Sequence, residues 1–143
     1  MNLNREEIMA VMPHRDPLLL VDRIEDLIPG ESATGYFYVR PDMEIFKGHF
    51  PGNPLFPGAY QIECMGQVGN LMVQAHSKYA GMTSLFLGCN GSSFKKKVVP
   101  GDTLKVCAKI KNFREDKLIA VFTCECFVGE DLVSTGELAV ALR

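Results

Sequence analysis

One histidine and one carboxylate in this sequence are placed so that they could do acid–base chemistry together. His49 lies in a segment rich in glycine and proline, KGHFPGNPLFPG, and Glu63 follows in an apolar run, AYQIECMGQ, of helical appearance. Glycine and proline restrict the backbone and let it approach a ligand closely. A neutral histidine can accept a proton near pH 7, and a carboxyl group shielded from water favours its neutral form, which can donate one.

The predicted start of the helix adds a candidate oxyanion site. No Ser, Thr, Asp or Asn precedes Ala59, and the candidate cap is Gly58, which has no side chain to fill the free amides. These N–H groups could hold a developing negative charge. A base, an acid and an oxyanion site could therefore meet within one short segment.

Both titratable residues also have an ordinary structural interpretation. His49 could be a loop histidine whose hydrogen bonds are satisfied by the chain. Glu63 shares one helical stripe with Gln67, Asn70 and Gln74, and a polar stripe usually faces water. Gln67, one turn on, could instead donate a hydrogen bond that orients the Glu63 carboxylate.

The segment FKKKVV, residues 94–99, is the only basic cluster in the chain. Such a run is usually a solvated strand face, but it could also receive an acidic partner. The formal net charge of −2 argues against a dedicated nucleic-acid binder, which would be basic overall.

One long helix and a run of strands must position these groups. The helix is predicted from about Ala59 to Ser77, because its apolar residues follow helical spacing. Gly66 and Gly69 would weaken such a helix, so we expect them to allow its close approach to another backbone.

Shorter elements flank the long helix. Asn4 and Glu7 form a capping box that predicts a short helix through about Met12. Strands are predicted at 33–40, at 103–111, and in the runs LIAVFTCECFV and LVSTGELAVAL. One long helix followed by antiparallel strands indicates an α+β fold with the sheet packed against that helix.

Length and cysteine usage limit the class of protein. The 143 residues predict a single domain, 1–143. The five cysteines form no CxxC pair and no metal-like spacing with histidine, so we expect free thiols, a cytoplasmic location and no metal. Cys124 and Cys126 would share one face of a strand, which suits burial. No run approaches the ~20 apolar residues of a membrane span.

Four separated segments resemble, in order and spacing, the FabZ-type β-hydroxyacyl-acyl carrier protein dehydratases. They are PHRDPLLLVDRI at 13–24, GHFPGNPLFPG at 48–58, IECMGQ at 62–67 and FKKKVVPGD at 94–102. The resemblance covers essentially the whole chain. It implies a hotdog fold, no cofactor, and a homodimer, often a trimer of dimers, with each active site built across the dimer interface.

The resemblance also implies residue roles. His49 would take the C2 proton of a 3-hydroxyacyl thioester, and Glu63 would protonate the leaving hydroxyl, giving a trans-2-enoyl product. The Gly58 amide would stabilise the thioester oxygen, and Gln67 would orient Glu63. The related FabA type carries aspartate at the Glu63 position. Because acyl carrier proteins are acidic, the resemblance favours docking of one on Lys95, Lys96 and Lys97.

Several residues depart from the family pattern near the expected acyl tunnel. Tyr60 and Gln61 replace aliphatic residues, and Asn70 replaces a small apolar one. The predicted tunnel residues are Phe50, Pro51, Tyr60, Gln61, Asn70 and Leu85. We expect a role in fatty-acid biosynthesis or, because of these departures, in a specialised pathway such as polyketide or aryl-polyene assembly. The family's His-Phe-Pro turn predicts a cis peptide bond before Pro51.

Two other functions stay open on the sequence. A hotdog thioesterase would need a carboxylate that activates water on the thioester. A non-catalytic hotdog subunit would bind acyl carrier protein or complete a heterodimer. The presence of both His49 and Glu63 favours the dehydratase over either.

Overall fold

The computed structural model describes residues 1–143 and contains two α-helices and six strands. The helices are α1 (Arg5–Val11) and α2 (Gly58–Gln74), and short 3-10 turns occupy Glu44–Lys47 and Ser77–Tyr79. The strands are β1 (Arg23–Ile28), β2 (Ser32–Tyr38), β3 (Ser84–Phe94), β4 (Thr103–Arg114), β5 (Ile119–Val128) and β6 (Asp131–Leu142). The predicted α+β class is confirmed.

The six strands form one antiparallel sheet in the order β1-β2-β4-β5-β6-β3. Inward-facing residues alternate with outward-facing ones along β4 and β5, as the sequence pattern predicts. The inward face covers α2, and one apolar core lies between them. β3 lies at an edge of the sheet, with no strand of the chain on its other side.

The long helix differs from its prediction at both ends. It begins at Gly58, with Pro57 as its N-cap, and it ends at Gln74 rather than Ser77. No side chain caps its start, as predicted. The capping box of Asn4 and Glu7 at α1 is also present.

Gly69 is required for the packing of α2 on the sheet. A Cβ atom there would overlap the ring of Phe122, which fills the space above the helix backbone. Gly66 has more room, since a Cβ atom would lie 3.6 Å from the Leu138 side chain. The predicted close approach is therefore correct for Gly69, but the helix approaches an aromatic side chain rather than a backbone.

All five cysteines are free thiols, as predicted. Cys124 and Cys126 are both buried on the inward face of β5. Burial raises the pKa of the Cys126 thiol to about 12 and raises the pKa values of Cys64 and Cys124 well above their usual range. These three thiols are therefore protonated core residues at neutral pH. No helix here is long and apolar enough to cross a membrane.

Candidate active site

His49 is fixed by its own loop. The loop reverses direction through Phe50 and Gly52, whose φ angles are 59° and 83°. The His49 ring nitrogen Nδ1 lies 2.8 Å from the carbonyl oxygen of Leu55. A carbonyl can only accept, so Nδ1 carries the proton and Nε2 of the neutral ring keeps a free lone pair. This is the tautomer that a general base requires.

The predicted cis bond before Pro51 is wrong. The only cis peptide in the chain joins Asp16 to Pro17. The turn behind His49 instead uses the left-handed conformation of Phe50, whose ring contacts the imidazole at a tilt of 54°, with 4.4 Å between ring centroids. The rigidity predicted for the loop is therefore obtained from a positive φ angle and an aromatic contact.

His49 opens onto a cavity of about 360 Å³ at the N-terminal end of α2. The backbone amides of Gly58 and Ala59, at the start of that helix, donate to no atom of the chain. The ring of Phe94 covers Gly58 so closely that a Cβ atom there would lie 3.0 Å from it. A histidine base and the uncapped residue Gly58, at the positive end of a helix dipole, thus border one cavity.

Gln61 belongs to this His49 cavity. Its residue surface is 3% exposed, and its side-chain oxygen has no hydrogen-bond partner. A buried amide oxygen without a donor is unusual and costs stability, so a bound donor would satisfy it.

Glu63 is held by the carboxamide of Gln67, which is fully buried. Gln67 Nε2 donates to Glu63 Oε2 at 2.8 Å and to the Leu18 carbonyl at 2.7 Å, and its Oε1 accepts from the Leu20 amide at 2.8 Å. The predicted hydrogen bond is therefore present, and two backbone contacts lock the amide that makes it. The Glu63 side chain itself is 48% exposed, so this chain alone does not shield it from water.

His14 lies beside Glu63, a contact that the sequence did not predict. Its Nε2 is 3.9 Å from Glu63 Oε2, and its Nδ1 is buried without a partner. The two residues are far apart in sequence, so spacing gave no signal of this contact. The only sequence signal was a histidine in a proline-flanked turn.

Glu63 and His49 do not share a cavity within one chain. Glu63 borders a separate space of about 280 Å³ between α2 and β3. Gln61 and Glu63 are two residues apart, so a rotation of about 200° around the helix separates them. The His49 cavity and the Glu63 carboxylate of one chain therefore lie against nearly opposite faces of α2.

The other predicted tunnel residues lie in several parts of the chain, including the Glu63 cavity and the His49 loop. Asn70 borders the Glu63 cavity. Phe50 and Pro51 are exposed in the His49 loop. Tyr60 packs on Phe56 and borders a third cavity, beside Asp42–Ile45, so within one chain its place in the tunnel stays a prediction. Leu85 is 48% exposed, and its neighbours Ser84 and Phe86 border the Glu63 cavity instead.

The three lysines that follow β3 border the His49 cavity. Lys96 forms an ion pair of 3.3 Å with Asp131. Lys95 and Lys97 are exposed, and no carboxylate of the chain lies within salt-bridge distance of either. Positive charge is thus available at the mouth of the cavity that contains His49.

A long helix wrapped by one antiparallel sheet, with a histidine loop at the start of that helix, defines a hotdog-fold protein with a candidate acid–base site. The family model described as the FabA-like domain matches residues 12–137. The chain therefore belongs to the FabA-like family, and its relatives place it with the FabZ type.

The relatives are similar over nearly the whole chain. A 3-hydroxyacyl-[acyl-carrier-protein] dehydratase FabZ from Syntrophomonas wolfei is 39% identical, covering 99% of this chain and 97% of its own. The FabZ of Chloroflexus aggregans is also 39% identical, covering 98% and 96%. The FabZ of Clostridium novyi is 43% identical over 74% of this chain and 75% of its own.

Solved structures share the fold at low identity. The dehydratase heterocomplex ApeI:P from Xenorhabdus doucetiae has a TM-score of 0.80 at 17% identity, covering 95% of this chain and 90% of that one. The TT0310 protein from Thermus thermophilus has a TM-score of 0.66 at 17% identity, covering 91% and 99%. These likenesses show the hotdog fold.

Proposed function

We propose that this protein, acting as one catalytic domain of residues 1–143, dehydrates 3-hydroxyacyl thioesters of acyl carrier protein to trans-2-enoyl thioesters. The observation that carries the proposal is the His49 cavity. There a histidine with a fixed tautomer borders the same space as Gly58, the uncapped first residue of α2. Its FabZ relatives are named for this activity, and they support the assignment to fatty-acid biosynthesis. The five free thiols support a cytoplasmic location.

The proposed steps balance without a cofactor. Nε2 of His49 takes a proton from C2, and the electron pair left behind forms the C2–C3 double bond as the C3–O bond breaks. Glu63 gives its proton to the departing hydroxyl, which leaves as water. Negative charge grows on the thioester oxygen meanwhile, and the Gly58 amide stabilises it. Gln67 holds the Glu63 carboxyl group in one orientation.

A second copy of the chain is needed to bring the two groups together. The edge strand β3 carries a row of exposed apolar side chains: Leu85, Phe86, Leu87 and Phe94. An unpaired, apolar strand edge is a site for pairing with another strand. We propose that two copies pair along β3, that each active site combines His49 of one copy with Glu63 of the other, and that the contact shields Glu63 from water. Assembly into a trimer of dimers stays a prediction of the resemblance.

The test offers 3-hydroxyacyl thioester on acyl carrier protein to the purified protein. We expect the carrier-bound acyl group to lose the mass of one water, as measured by mass spectrometry of the intact carrier. Release of free carrier thiol without an enoyl product would mean that the protein is a thioesterase. No change in carrier mass, with the protein alone and with a second hotdog subunit, would mean that it is non-catalytic.

Reversing the charge of Lys95 and Lys97 should weaken the use of carrier-bound substrate. Both lysines lack a partner in the chain at the mouth of the His49 cavity, so they are free to meet an acidic carrier surface. For Lys95→Glu/Lys97→Glu we expect KM to rise by about tenfold at low salt, with kcat nearly unchanged.

The matched control is Lys109→Glu/Lys117→Glu, which reverses two exposed lysines elsewhere. Each variant is assayed with the same acyl group on acyl carrier protein and on free pantetheine. An equal rise of KM with both thioesters would contradict carrier docking on this surface.

A further inference from the structure

The cavity beside Glu63 runs along one face of α2 and ends in polar groups. Its helix residues are Ala59, Ile62, Glu63, Gly66 and Asn70, and its other residues are His14, Ser84 and Phe86. Asn70 is seven residues beyond Glu63, which places it about 10 Å farther along the helix and on the same face. The reacting end and the far end of the cavity are therefore both polar.

The wall between these ends is apolar. Ile62 and Phe86 contribute hydrocarbon surface, and Gly66 contributes no side chain. Since Gly66 would accept a Cβ atom at an ordinary distance from Leu138, the sheet does not require glycine there. The absence of a side chain at this position keeps the space open between Glu63 and Asn70.

The polar far end of the cavity has hydrogen-bond donors that are unpaired within the chain. The hydroxyl group of Ser84 donates to Asn70 Oδ1 at 2.5 Å. This bond uses the amide oxygen and orients the carboxamide, and it is the only side-chain hydrogen bond that Asn70 makes, so the two N–H donors of Nδ2 have no acceptor within the chain. Enclosing these donors against a hydrocarbon chain would leave them unpaired, which disfavours a saturated acyl tail.

We propose that Asn70, positioned by Ser84, selects 3-hydroxyacyl groups that carry an oxygen acceptor near the distal end of the acyl chain. An extended acyl chain with its C3 hydroxyl group at Glu63 runs along the apolar wall toward Asn70. A carbonyl oxygen at that end accepts from Asn70 Nδ2. This inference rests on the proposed dehydration and assigns the class of acyl group that the same site accepts best.

The test compares 3-hydroxydecanoyl and 3-hydroxy-9-oxodecanoyl groups on acyl carrier protein, using the full-length protein. We expect kcat/KM to be at least about tenfold higher for the oxo substrate. Asn70→Leu should reverse this ratio by raising kcat/KM for the saturated chain and lowering it for the oxo chain. Asn70→Ala, which adds no bulk, should bring the ratio close to one.

The matched control is Asn112→Leu, the same substitution at an exposed residue of β4, which should keep the wild-type ratio. Equal kcat/KM values for the two substrates with the wild-type protein would overturn the inference. A ratio that stays the same in both Asn70 variants would overturn it as well. Loss of water from neither substrate would instead contradict the proposed dehydration, so the two failures are distinguishable.

Discussion

Replacing His49 with alanine should lower kcat for dehydration by about 100-fold to 10,000-fold, the usual contribution of a general base. The loop and the Leu55 carbonyl fix one tautomer of this ring, and His49 is the only histidine that borders the cavity. KM should change little, because the acyl chain and the carrier protein contact other residues. Single-turnover mass spectrometry of the carrier-bound product measures the effect on the chemical step.

The matched control for this loss is His76→Ala. His76 lies past the end of α2, where its Nδ1 accepts from the Lys78 amide and its ring packs on Tyr79. The substitution removes the same side chain at a place remote from the cavity, so activity should stay close to that of the wild type. If His49→Ala retained wild-type activity while folded, as judged by circular dichroism, His49 would not be the base.

The sequence predicted the elements that have a strong local pattern. Alternation in β4 and helical spacing in α2 each have a period that only one type of structure satisfies. β3 was missed, because Gly88, Asn90 and Gly91 interrupt its run and its exposed positions are apolar rather than polar. An edge strand with apolar outward positions does not show the alternation of a half-buried strand.

The polar stripe on α2 shows where reasoning from one helix fails. Glu63, Gln67, Asn70 and Gln74 share a face by spacing, and such a face usually meets water. Two of these residues are instead buried, since Gln67 bonds the backbone near Leu20 and Gln74 donates to the Met82 carbonyl. The backbone partners of Gln67 come from a distant segment, and the Met82 carbonyl lies beyond the end of α2, so only the folded chain could identify them.

The separation of His49 from Glu63 within one chain could not be derived from the residues themselves, although the family resemblance implied a site built across a dimer interface. Both residues flank the start of α2, and their closeness in sequence suggested one joint site. Residues that are close in sequence can still face different directions on a helix. The helical rotation turns Gln61 toward the His49 cavity and Glu63 toward the space beneath β3. The residues alone therefore identified the candidates, and the structure showed that one chain does not bring them together.

Mixing two inactive variants should restore activity, and this is the sharpest test of a site shared between two copies. His49→Ala and Glu63→Gln each remove one group, so each homodimer should be nearly inactive. In a mixed dimer, one site loses both groups, and the other keeps His49 of one chain and Glu63 of its partner. With random exchange of equal amounts, half the dimers are mixed and each has one intact site, so about one quarter of wild-type activity should return.

The same mixture distinguishes the opposite arrangement. If both groups of a site came from one chain, every site would lack one of them and no activity would return on mixing. Exchange is checked by native mass spectrometry of differently tagged chains, which also gives the number of copies in the assembly. In a control mixture of His49→Ala and wild type, the chains also pair at random. Its activity should match the fraction of sites that keep both His49 and Glu63. Complete exchange of chains without recovered activity would overturn the shared site. It would mean that an active site does not combine His49 of one chain with Glu63 of its partner.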